Sequence, residues 1–157
     1  MTKITQDEKE FLKESNALEE EYRAIALDDA IKAWLFIKPI SVDMRVDMII
    51  KVHRRVMRRI NLRIAGHIRD CDVCVGYRTC LNPEKIKEAL YHLCKQPFSN
   101  EKDIKKWHIK FETIHPFEDG NGRVGRILMN YQRLKIGLPI LIIHTGLEQQ
   151  KYYRWFN

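Results

Sequence analysis

The chain has 157 residues, of which 45% are hydrophobic, and this predicts one folded domain over residues 1–157 and argues against a largely disordered chain. No run of about 18 apolar residues occurs, and the first residues lack the apolar core of a signal peptide, so we expect no membrane span and a cytoplasmic location. The net charge of +7 favours anionic partners, among them nucleotides, acidic proteins and nucleic acid.

Helices are predicted along the N-terminal part of the chain. Residues 5–27 are polar and helix-favouring, and their expected buried positions are Phe11, Leu12, Leu18, Tyr22 and Ile25. A second helix is expected to begin at Asp28 or Asp29, and a third to carry an apolar stripe from Val46 to Ile60. This pattern predicts a mainly α-helical domain.

The third helix is also basic. Seven basic residues lie from Arg45 to Arg63, against acids at Asp43 and Asp47. A surface for acidic partners or nucleic acid is one interpretation, and a solvated helix face is the one that we favour. His53 lies on the apolar side of this helix, so we expect a core histidine whose hydrogen bonds are satisfied.

Residues 63–81 differ from the helical segments before them. Short alternating stretches with glycines predict a small β-hairpin. The four cysteines of the chain, with His67 close by, raise the possibility of a zinc site; they are Cys71, Cys74, Cys80 and Cys94. We do not favour zinc, because ligands three residues apart in a strand point to opposite faces and the second pair lacks tight spacing. Disulfides are not expected in a cytoplasmic chain.

Two helices are predicted to meet at HPFEDGNGRVGR, residues 115–126. Apolar residues recur at helical spacing on both sides of it, at Ile104, Trp107, Phe111 and Ile114 and at Val124, Ile127, Leu128, Tyr131 and Leu134. Ser99 is the expected N-cap of the first helix, and Pro116 should end that helix at His115. The motif is therefore a helix–loop–helix corner, with residues 120–122 at the N-terminus of the second helix.

The corner contains groups that suit phosphate. The first turn of a helix has unpaired N–H groups and the positive end of the helix dipole, and Gly120 and Gly122 allow these amides to approach an anion closely. Arg123 and Arg126 are three residues apart, so they lie on neighbouring parts of one helical face. Guanidinium groups bind phosphate oxygens through paired hydrogen bonds, so this pattern predicts a phosphate site.

Two further side chains add chemistry to this corner. The carboxylate of Asp119 is a hard ligand that suits Mg²⁺ together with phosphate oxygens. The unperturbed pKa of a histidine, near 6.5, suits His115 to accept a proton at neutral pH. Together these groups predict nucleotide phosphate chemistry. Ordinary solvated polar groups, or a DNA-binding helix–turn–helix in a basic chain, are the alternative interpretations.

The motif resembles the signature of the Fic family, His-x-Phe-x-Asp/Glu-Gly-Asn-Gly-Arg-x-x-Arg. Every specified position is matched, by His115, Phe117, Asp119, Gly120, Asn121, Gly122, Arg123 and Arg126. The resemblance implies a Fic-type helical bundle with a small β-hairpin flap, and an enzyme that transfers AMP from ATP to a protein hydroxyl. A Lys in place of Gly122 would resemble the kinase-like variant of the family, so Gly122 favours nucleotidyl transfer.

The resemblance also implies a role for each position. His115 would be the base that deprotonates the target hydroxyl, and Asp119 would bind Mg²⁺. The nucleotide-binding residues would be Phe117, Gly120, Asn121, Gly122, Arg123 and Arg126. Within this set, Phe117 would anchor the loop in the core, Asn121 and the glycine amides would hold the α-phosphate region, and the two arginines would hold the outer phosphates.

A second resemblance concerns residues 1–27. A subset of Fic proteins carries an inhibitory helix with the pattern Ser/Thr-x-x-x-Glu-Gly/Asn. The segment SNALEE matches it at Ser15 and Glu19, while Glu20 replaces the expected Gly or Asn. A Glu19 carboxylate against Arg126 would occupy the arginine that the γ-phosphate needs. The alternative is an exposed acidic helix, because charge runs are usually solvated.

The predicted hairpin resembles the flap that Fic proteins commonly carry, with a Gly-x-x-Arg start and a Val-x-Val/Ile-Gly end. The matching residues are Gly66, Arg69, Val73, Val75 and Gly76, and the target-docking part of the flap would be Val73, Cys74, Val75 and Gly76. An exposed flap edge pairs with an extended segment of the target by β-augmentation, which positions a hydroxyl through backbone contacts.

These resemblances imply transfer of AMP from Mg²⁺-bound ATP to a Ser, Thr or Tyr hydroxyl of a target protein, restrained by Glu19. ATP and the target are the expected partners and Mg²⁺ the expected cofactor. Self-modification and an oligomer are compatible with the sequence, and nucleic acid is not favoured. Two alternatives stay open: a Fic-like enzyme that uses another nucleotide or removes AMP, and a basic nucleic-acid-binding helical module.

Overall fold

The computed structural model describes residues 3–157. Within them lie seven α-helices, namely α1 (Gln6–Ala17), α2 (Ala24–Ile37), α3 (Val46–Met57), α4 (Ile86–Cys94), α5 (Glu101–Ile114), α6 (Asn121–Lys135) and α7 (Leu147–Tyr153). Short 3₁₀ turns precede α4 and follow α7, at Pro83–Lys85 and Arg154–Phe156. An antiparallel hairpin of β1 (Cys74–Val75) and β2 (Arg78–Thr79) pairs Cys74 with Thr79 and Val75 with Arg78. The predicted mainly helical fold with a small hairpin is confirmed.

Helix α6 forms the centre of the domain. Twelve of its 15 residues are buried, whereas a helix on the surface of a domain buries one face. Helices α1, α3 and α5 pack around it. Its apolar residues Val124, Leu128 and Tyr131 join Trp107 and Phe111 of α5 in the main hydrophobic core. The polar residues at the N-terminal end of α6 are therefore held by a rigid, fully packed element.

The N-terminal helices differ from their predicted bounds. Helix α2 begins at Ala24 and not at Asp28 or Asp29, because the chain breaks into a turn after α1 and starts a new helix at once. Two residues expected to be buried are exposed as a result: Tyr22, with 75% of its surface accessible, lies in this turn, and Ile25, with 37%, lies in the first turn of α2.

The start of α5 is shifted by one residue from the prediction. Its N-cap is Asn100, whose side-chain oxygen accepts a hydrogen bond from the backbone N–H of Asp103. Ser99, the predicted cap, donates its hydroxyl to the carboxylate of Asp103 instead. Both residues hold the same helix terminus, which is why the helix itself was predicted correctly.

Four of the seven basic residues from Arg45 to Arg63 form ion pairs. The ion pairs join Arg45 and Lys51 to Asp47, Arg59 to Asp28 and Asp29, and Arg63 to Glu118. A cation that is held by a neighbouring carboxylate offers less net charge to a phosphate backbone. This pairing supports the interpretation as a solvated face and not as a nucleic-acid surface. Within residues 3–157, no helix is sufficiently long and apolar to span a bilayer.

Candidate active site

The motif forms a tight corner between α5 and α6. Helix α5 ends at Ile114, and His115 caps it in the left-handed conformation with φ at 51°, its backbone N–H bonded to the carbonyl of Phe111 at 3.0 Å. Pro116 prevents the helix from continuing. Gly120, with φ at 84°, is the N-cap of α6. A Cβ there would lie 2.8 Å from the sulfur of Met57, so glycine is required for both conformation and space.

The loop between the helices is fixed from inside. The side-chain oxygen of Asn121 accepts from the backbone N–H of Phe117 at 2.9 Å, and its amide nitrogen donates to the carbonyl of Phe117 at 2.8 Å. The ring of Phe117 is fully buried and stacks on His53, with centroids 3.7 Å apart. Both side chains hold the loop, so Asn121 offers a nucleotide its backbone and not its side-chain amide.

His53 of α3 supports the same loop from below. Its Nε2 lies 2.9 Å from the carbonyl oxygen of Asp119, and its Nδ1 lies 2.9 Å from the backbone nitrogen of Gly66. Since a carbonyl can only accept and an amide N–H can only donate, Nε2 carries the proton and Nδ1 does not. Burial lowers the pKa of His53 to about 4. The expectation of a satisfied core histidine is thus met by a neutral imidazole.

Acid is expected to destabilise the domain through His53. The unfolded chain takes up a proton near the usual pKa of 6.5 and the folded chain only near 4, so this contribution is complete above pH 6.5 and is lost as the pH falls towards 4. Lowering the pH from 7 to 5 should reduce the free energy of unfolding by about 2 kcal/mol through His53. Buried His108 acts in the same direction, because burial lowers its pKa to about 3.

Urea unfolding at pH 7 and pH 5 measures this effect. His53→Gln should lose less stability between the two pH values than the wild type does, even though it is less stable at both. His92→Gln, which removes an exposed histidine of α4, is the matched control and should leave the pH dependence unchanged. An equal pH-dependent loss in His53→Gln and the wild type would contradict the assignment.

Arg69 ties the base of the hairpin to the catalytic corner. It is buried, and its guanidinium donates to four backbone carbonyls: those of His115 at 2.7 Å, Cys71 at 2.8 Å, Leu81 at 2.6 Å and Ile114 at 3.3 Å. The N–H of Arg69 also bonds to the carbonyl of Pro116 at 3.0 Å. These bonds fix the backbone on both sides of His115 and the start of the hairpin in one unit. The sequence pattern pointed to Arg69 as part of the hairpin segment, but it did not predict these hydrogen bonds to four backbone carbonyls, which we call the Arg69 clamp.

The imidazole of His115 is poised as a neutral base. Its Nδ1 is buried, while the residue as a whole is partly exposed. Burial is the largest cause of a lowered pKa, and the positive charges of Arg69 and Arg78 act in the same direction. A histidine with a lowered pKa is unprotonated at neutral pH, which is the form that can accept a proton.

The start of α6 carries unpaired buried donors that suit an anion. Arg123 is only 4% exposed, and among the described residues its Nε and Nη1 have no hydrogen-bond partner. Its Nη2 lies 3.5 Å from the exposed carboxylate of Asp119, whose other oxygen accepts the N–H of Gly120 at 2.6 Å. Leaving buried guanidinium N–H groups unbonded costs free energy, which an anion at the helix N-terminus would recover.

Arg126, by contrast, is fully engaged by α1. Its Nε donates to the hydroxyl of Ser15 at 2.8 Å, and its Nη2 donates to the carbonyl of Ser15 at 2.9 Å and to the carboxylate of Glu19 at 2.6 Å. Nη1 lies 3.4 Å from the hydroxyl of Tyr152. The structure therefore brings Ser15 and Glu19 to Arg126, more than a hundred residues away in sequence, as the resemblance implied.

The chain matches a known protein family. A family model described as the Fic/DOC family matches residues 43–132, more than half of the chain. This chain belongs to the Fic/DOC family. The matched region includes the hairpin and the whole corner from His115 to Arg126, and the segment with Ser15 and Glu19 lies outside it.

Curated relatives of this Fic domain carry consistent names. The "Protein adenylyltransferase Fic" of Nematostella vectensis is 31% identical over 148 residues, 88% of this chain and 34% of the relative. The "Protein adenylyltransferase fic-1" of Caenorhabditis elegans is 30% identical over 128 residues, 70% of this chain and 23% of the relative. The chain thus spans about a third or less of the length of these relatives.

Solved structures share the fold. Fic-1 (residues 134–508) from C. elegans aligns with a TM-score of 0.82 at 20% identity, over 97% of this chain and 55% of that one. A Fic domain containing signaling protein from Bacteroides thetaiotaomicron aligns with a TM-score of 0.78 at 20% identity, over 93% of this chain and 69% of that one. At this identity, the likeness shows the Fic fold and no more.

Gly122 of the Fic motif has no room for a side chain. A Cβ on it would lie 2.3 Å from the Glu19 carboxylate and 2.8 Å from Nη1 of Arg126. Any larger residue would have to displace the contact between these two side chains. Gly122 therefore allows the N-terminal helix to close over the start of α6, in addition to any role in binding a nucleotide.

Glu112 is a residue of this site that sequence reasoning missed. It lies one turn before His115, and its Oε1 is buried without a hydrogen-bond partner among residues 3–157. Gly125 makes space for it, since a Cβ there would lie 2.5 Å from Oε1. Burial raises the pKa of Glu112 to about 7, partly offset by Arg126. A carboxyl group three residues before a catalytic histidine is the signal that could have drawn attention to it.

The hairpin of the Fic domain is exposed, as a docking flap requires. Val75 is 44% accessible and Cys74 and Gly76 are exposed, while the carbonyl of Val73 accepts the N–H of Cys80 at 3.0 Å and closes the hairpin. Tyr77 at its tip is fully exposed. The hairpin residues are thus accessible from solvent, which a docking role would need.

The cysteines do not assemble into one ligand group among the described residues. Cys71 lies near Asp70 and Glu118, with their potential ligand atoms within 4.8 Å of one another, and all three are exposed. Exposed groups of this kind are common without a metal. We assign no function to this group, and the zinc interpretation gains no support from it.

Proposed function

We propose that this Fic domain is a protein adenylyltransferase, which transfers AMP from ATP to a Ser, Thr or Tyr hydroxyl of a target protein and releases pyrophosphate. The observation that carries the proposal is the corner itself, where buried Arg123 leaves guanidinium N–H groups unpaired in the first turn of α6 and His115, whose pKa is lowered by burial, precedes that helix in the same loop. The names of the curated relatives support the same activity.

His115 is the general base of the proposed reaction. It takes the proton of the target hydroxyl as that oxygen bonds to the α-phosphorus of ATP. The bond from the α-phosphorus to the bridging oxygen breaks, and the electron pair leaves with pyrophosphate. The clamp of Arg69 on the carbonyls of Ile114 and His115 holds the imidazole in place for this transfer. A positioned general base typically contributes about 10²–10⁴-fold to the rate.

The phosphates are held by the start of α6. The backbone amides of residues 121 and 122 receive the α-phosphate region, and Arg123 and Arg126 bind the outer phosphates through paired hydrogen bonds. Arg126 becomes available only when Glu19 leaves it. Glu112, whose pKa is raised to about 7 by burial, is partly protonated at neutral pH and so carries less negative charge than an exposed carboxylate would.

Asp119 is the proposed ligand of Mg²⁺. Its carboxylate is exposed beside the anion site, and hard oxygen ligands of this kind suit Mg²⁺, which takes its remaining ligands from water and phosphate. When bound, the ion offsets the negative charge that develops on the phosphate oxygens. The carbonyl of Asp119, held by His53, keeps the carboxylate at the mouth of the corner.

Residues 1–27 form the proposed regulatory segment of a single Fic domain, although residues 1 and 2 lie outside the described part. Glu19 occupies the guanidinium that the γ-phosphate needs, and Ser15 reinforces the contact through its hydroxyl and its carbonyl. We propose that this closed arrangement restrains transfer. A cytoplasmic setting belongs to the proposal.

The target binds the flap in this proposal. Main-chain pairing of an extended segment with the hairpin requires little of the target's sequence, and it directs a hydroxyl towards His115. Self-modification is one outcome of such tolerance, because a mobile segment of a second copy could occupy the same edge. The identity of the target follows from experiment.

Peptide mass spectrometry tests the reaction. The Glu19→Gly variant is incubated with Mg²⁺, ATP and a cell lysate, with GTP, CTP or UTP replacing ATP in parallel samples. The expected product is AMP on Ser, Thr or Tyr of lysate proteins or of the chain itself, in the ATP sample alone. A phosphate adduct, modification by another nucleotide in preference to ATP, or loss of AMP from already modified proteins would contradict the proposal.

A further inference from the structure

The inhibitory carboxylate stands at the end of α1, in a well-defined helix cap. The N–H of Glu20 bonds to the carbonyl of Ala17 at 3.0 Å, and the N–H of Glu21 bonds to the carbonyl of Asn16 at 3.0 Å. This pair of bonds defines a Schellman cap, in which the helix closes through one residue in the left-handed conformation. That residue is Glu20, whose φ is 54°.

Glutamate is an unfavourable residue at this position. A left-handed backbone brings Cβ close to the following carbonyl oxygen, and glycine, which lacks Cβ, usually occupies this place in the cap. Within the described residues, only Glu20 and His115 combine a side chain with a positive φ. The inhibitory pattern expects Gly or Asn after its glutamate, and this structure gives a physical reason, since both residues tolerate the left-handed conformation. Glu20 departs from that pattern.

The strain at Glu20 is coupled directly to the Arg126 contact. Glu19 belongs to the same cap, since its N–H bonds to the carbonyl of Asn16 at 3.0 Å, and its carboxylate meets Arg126 at 2.6 Å. When the last turn of α1 unwinds, Glu20 can leave the left-handed region, and the Glu19–Arg126 contact is lost as well. The strain therefore belongs to the closed state and not to the open one.

We propose that Glu20 weakens the closed state of the site and so sets a basal activity above that of a tightly closed domain. This inference rests on the proposed function, because it takes the closed state to be the inactive state of the enzyme. The side chain of Glu20 is exposed, so we place its effect in the backbone at the end of α1.

The expected result is that Glu20→Gly lowers the basal rate of AMP transfer about fivefold, because removing the strain raises the closed-to-open ratio by a similar factor. Glu20→Ala separates strain from charge. It keeps Cβ and removes the carboxylate, so its basal rate should stay within about twofold of the wild type. A fall in Glu20→Ala equal to that in Glu20→Gly would overturn the proposal, as would an unchanged rate in Glu20→Gly.

Hydrogen exchange gives a readout that does not depend on activity. The amides of residues 18–21 should exchange about fivefold more slowly in Glu20→Gly than in the wild type, and those of Glu20→Ala should not. Equal exchange in all three chains would overturn the proposal. The Glu19→Gly variant distinguishes a failure of the proposed function from a failure of this inference. If Glu19→Gly transfers no AMP, the proposed function is wrong. The exchange rates still decide whether Glu20 strains the cap.

Discussion

His115→Ala is expected to lower the rate of AMP transfer by about 10²–10⁴-fold, the usual contribution of a positioned general base. His115 holds its neighbours in the corner through its backbone N–H and its carbonyl, which the substitution keeps. The loss should therefore appear as a lower single-turnover rate constant for transfer from ATP. Calorimetry should show that the binding of Mg²⁺-bound ATP is unchanged.

The left-handed backbone at His115 calls for a second variant. Alanine is disfavoured at a φ of 51°, whereas asparagine tolerates this region well, so His115→Asn removes the base with less strain. His92→Ala, on the exposed surface of α4, is the matched control and should transfer at the wild-type rate. Transfer by His115→Asn within a few-fold of the wild type would show that another group accepts the proton.

Glu19→Gly is expected to raise the rate of transfer at least about tenfold. A hydrogen bond to a charged group typically contributes about 1.5–3 kcal/mol, and the partial exposure of Glu19 reduces this towards the lower value. Without the carboxylate, buried Arg126 keeps only Ser15 and Tyr152 as partners and is available for the γ-phosphate. The measurement is the initial rate of transfer at saturating Mg²⁺.

Glu19→Gln is the matched control for this change. It keeps the size of the side chain and one acceptor oxygen but removes the charge, so its rate should lie between those of the wild type and Glu19→Gly. Arg126→Ala should remove the effect, because the carboxylate then has no guanidinium to occupy. If Arg126 is required for transfer and Glu19→Gly still leaves the rate unchanged, Glu19 does not inhibit.

The corner could be predicted from sequence because its determinants are local. Pro116 ends one helix, and Gly120 provides the left-handed cap of the next, so the loop and its place between two helices follow from a few adjacent residues. The anion site follows in turn, since the N-terminus of a helix and arginines in its first turns need no distant partner to be recognised.

Contacts between distant residues were beyond such reasoning. The four carbonyls that Arg69 binds, and the buried position of Glu112 against Gly125, depend on how the hairpin, α5 and α6 pack together. Side-chain spacing within one element carries no information about them. The pairing of Ser15 and Glu19 with Arg126 was expected only through resemblance to a family, because no local pattern relates α1 to α6.

The N-terminal turn shows why helix bounds were less certain than the corner. The polar run from Glu19 to Glu21 reads as continuous helix, and it contains neither glycine nor proline to mark a break. The chain nevertheless turns at Glu20, in a conformation that its side chain disfavours. Tertiary contacts of Glu19 with Arg126 compensate for a local preference that points the other way.

The most direct test of the account compares ATP labelled at the α-phosphate with ATP labelled at the γ-phosphate. Each is incubated with Mg²⁺, a cell lysate and one of three chains: wild type, Glu19→Gly or His115→Ala. If the chain transfers AMP, we expect protein-bound label from α-labelled ATP alone. The label should be strongest with Glu19→Gly and absent with His115→Ala. Label from γ-labelled ATP above that of the lysate incubated without the chain would contradict this expectation, because the nucleotide would then lie in the opposite orientation, and so would an absence of label from α-labelled ATP with Glu19→Gly.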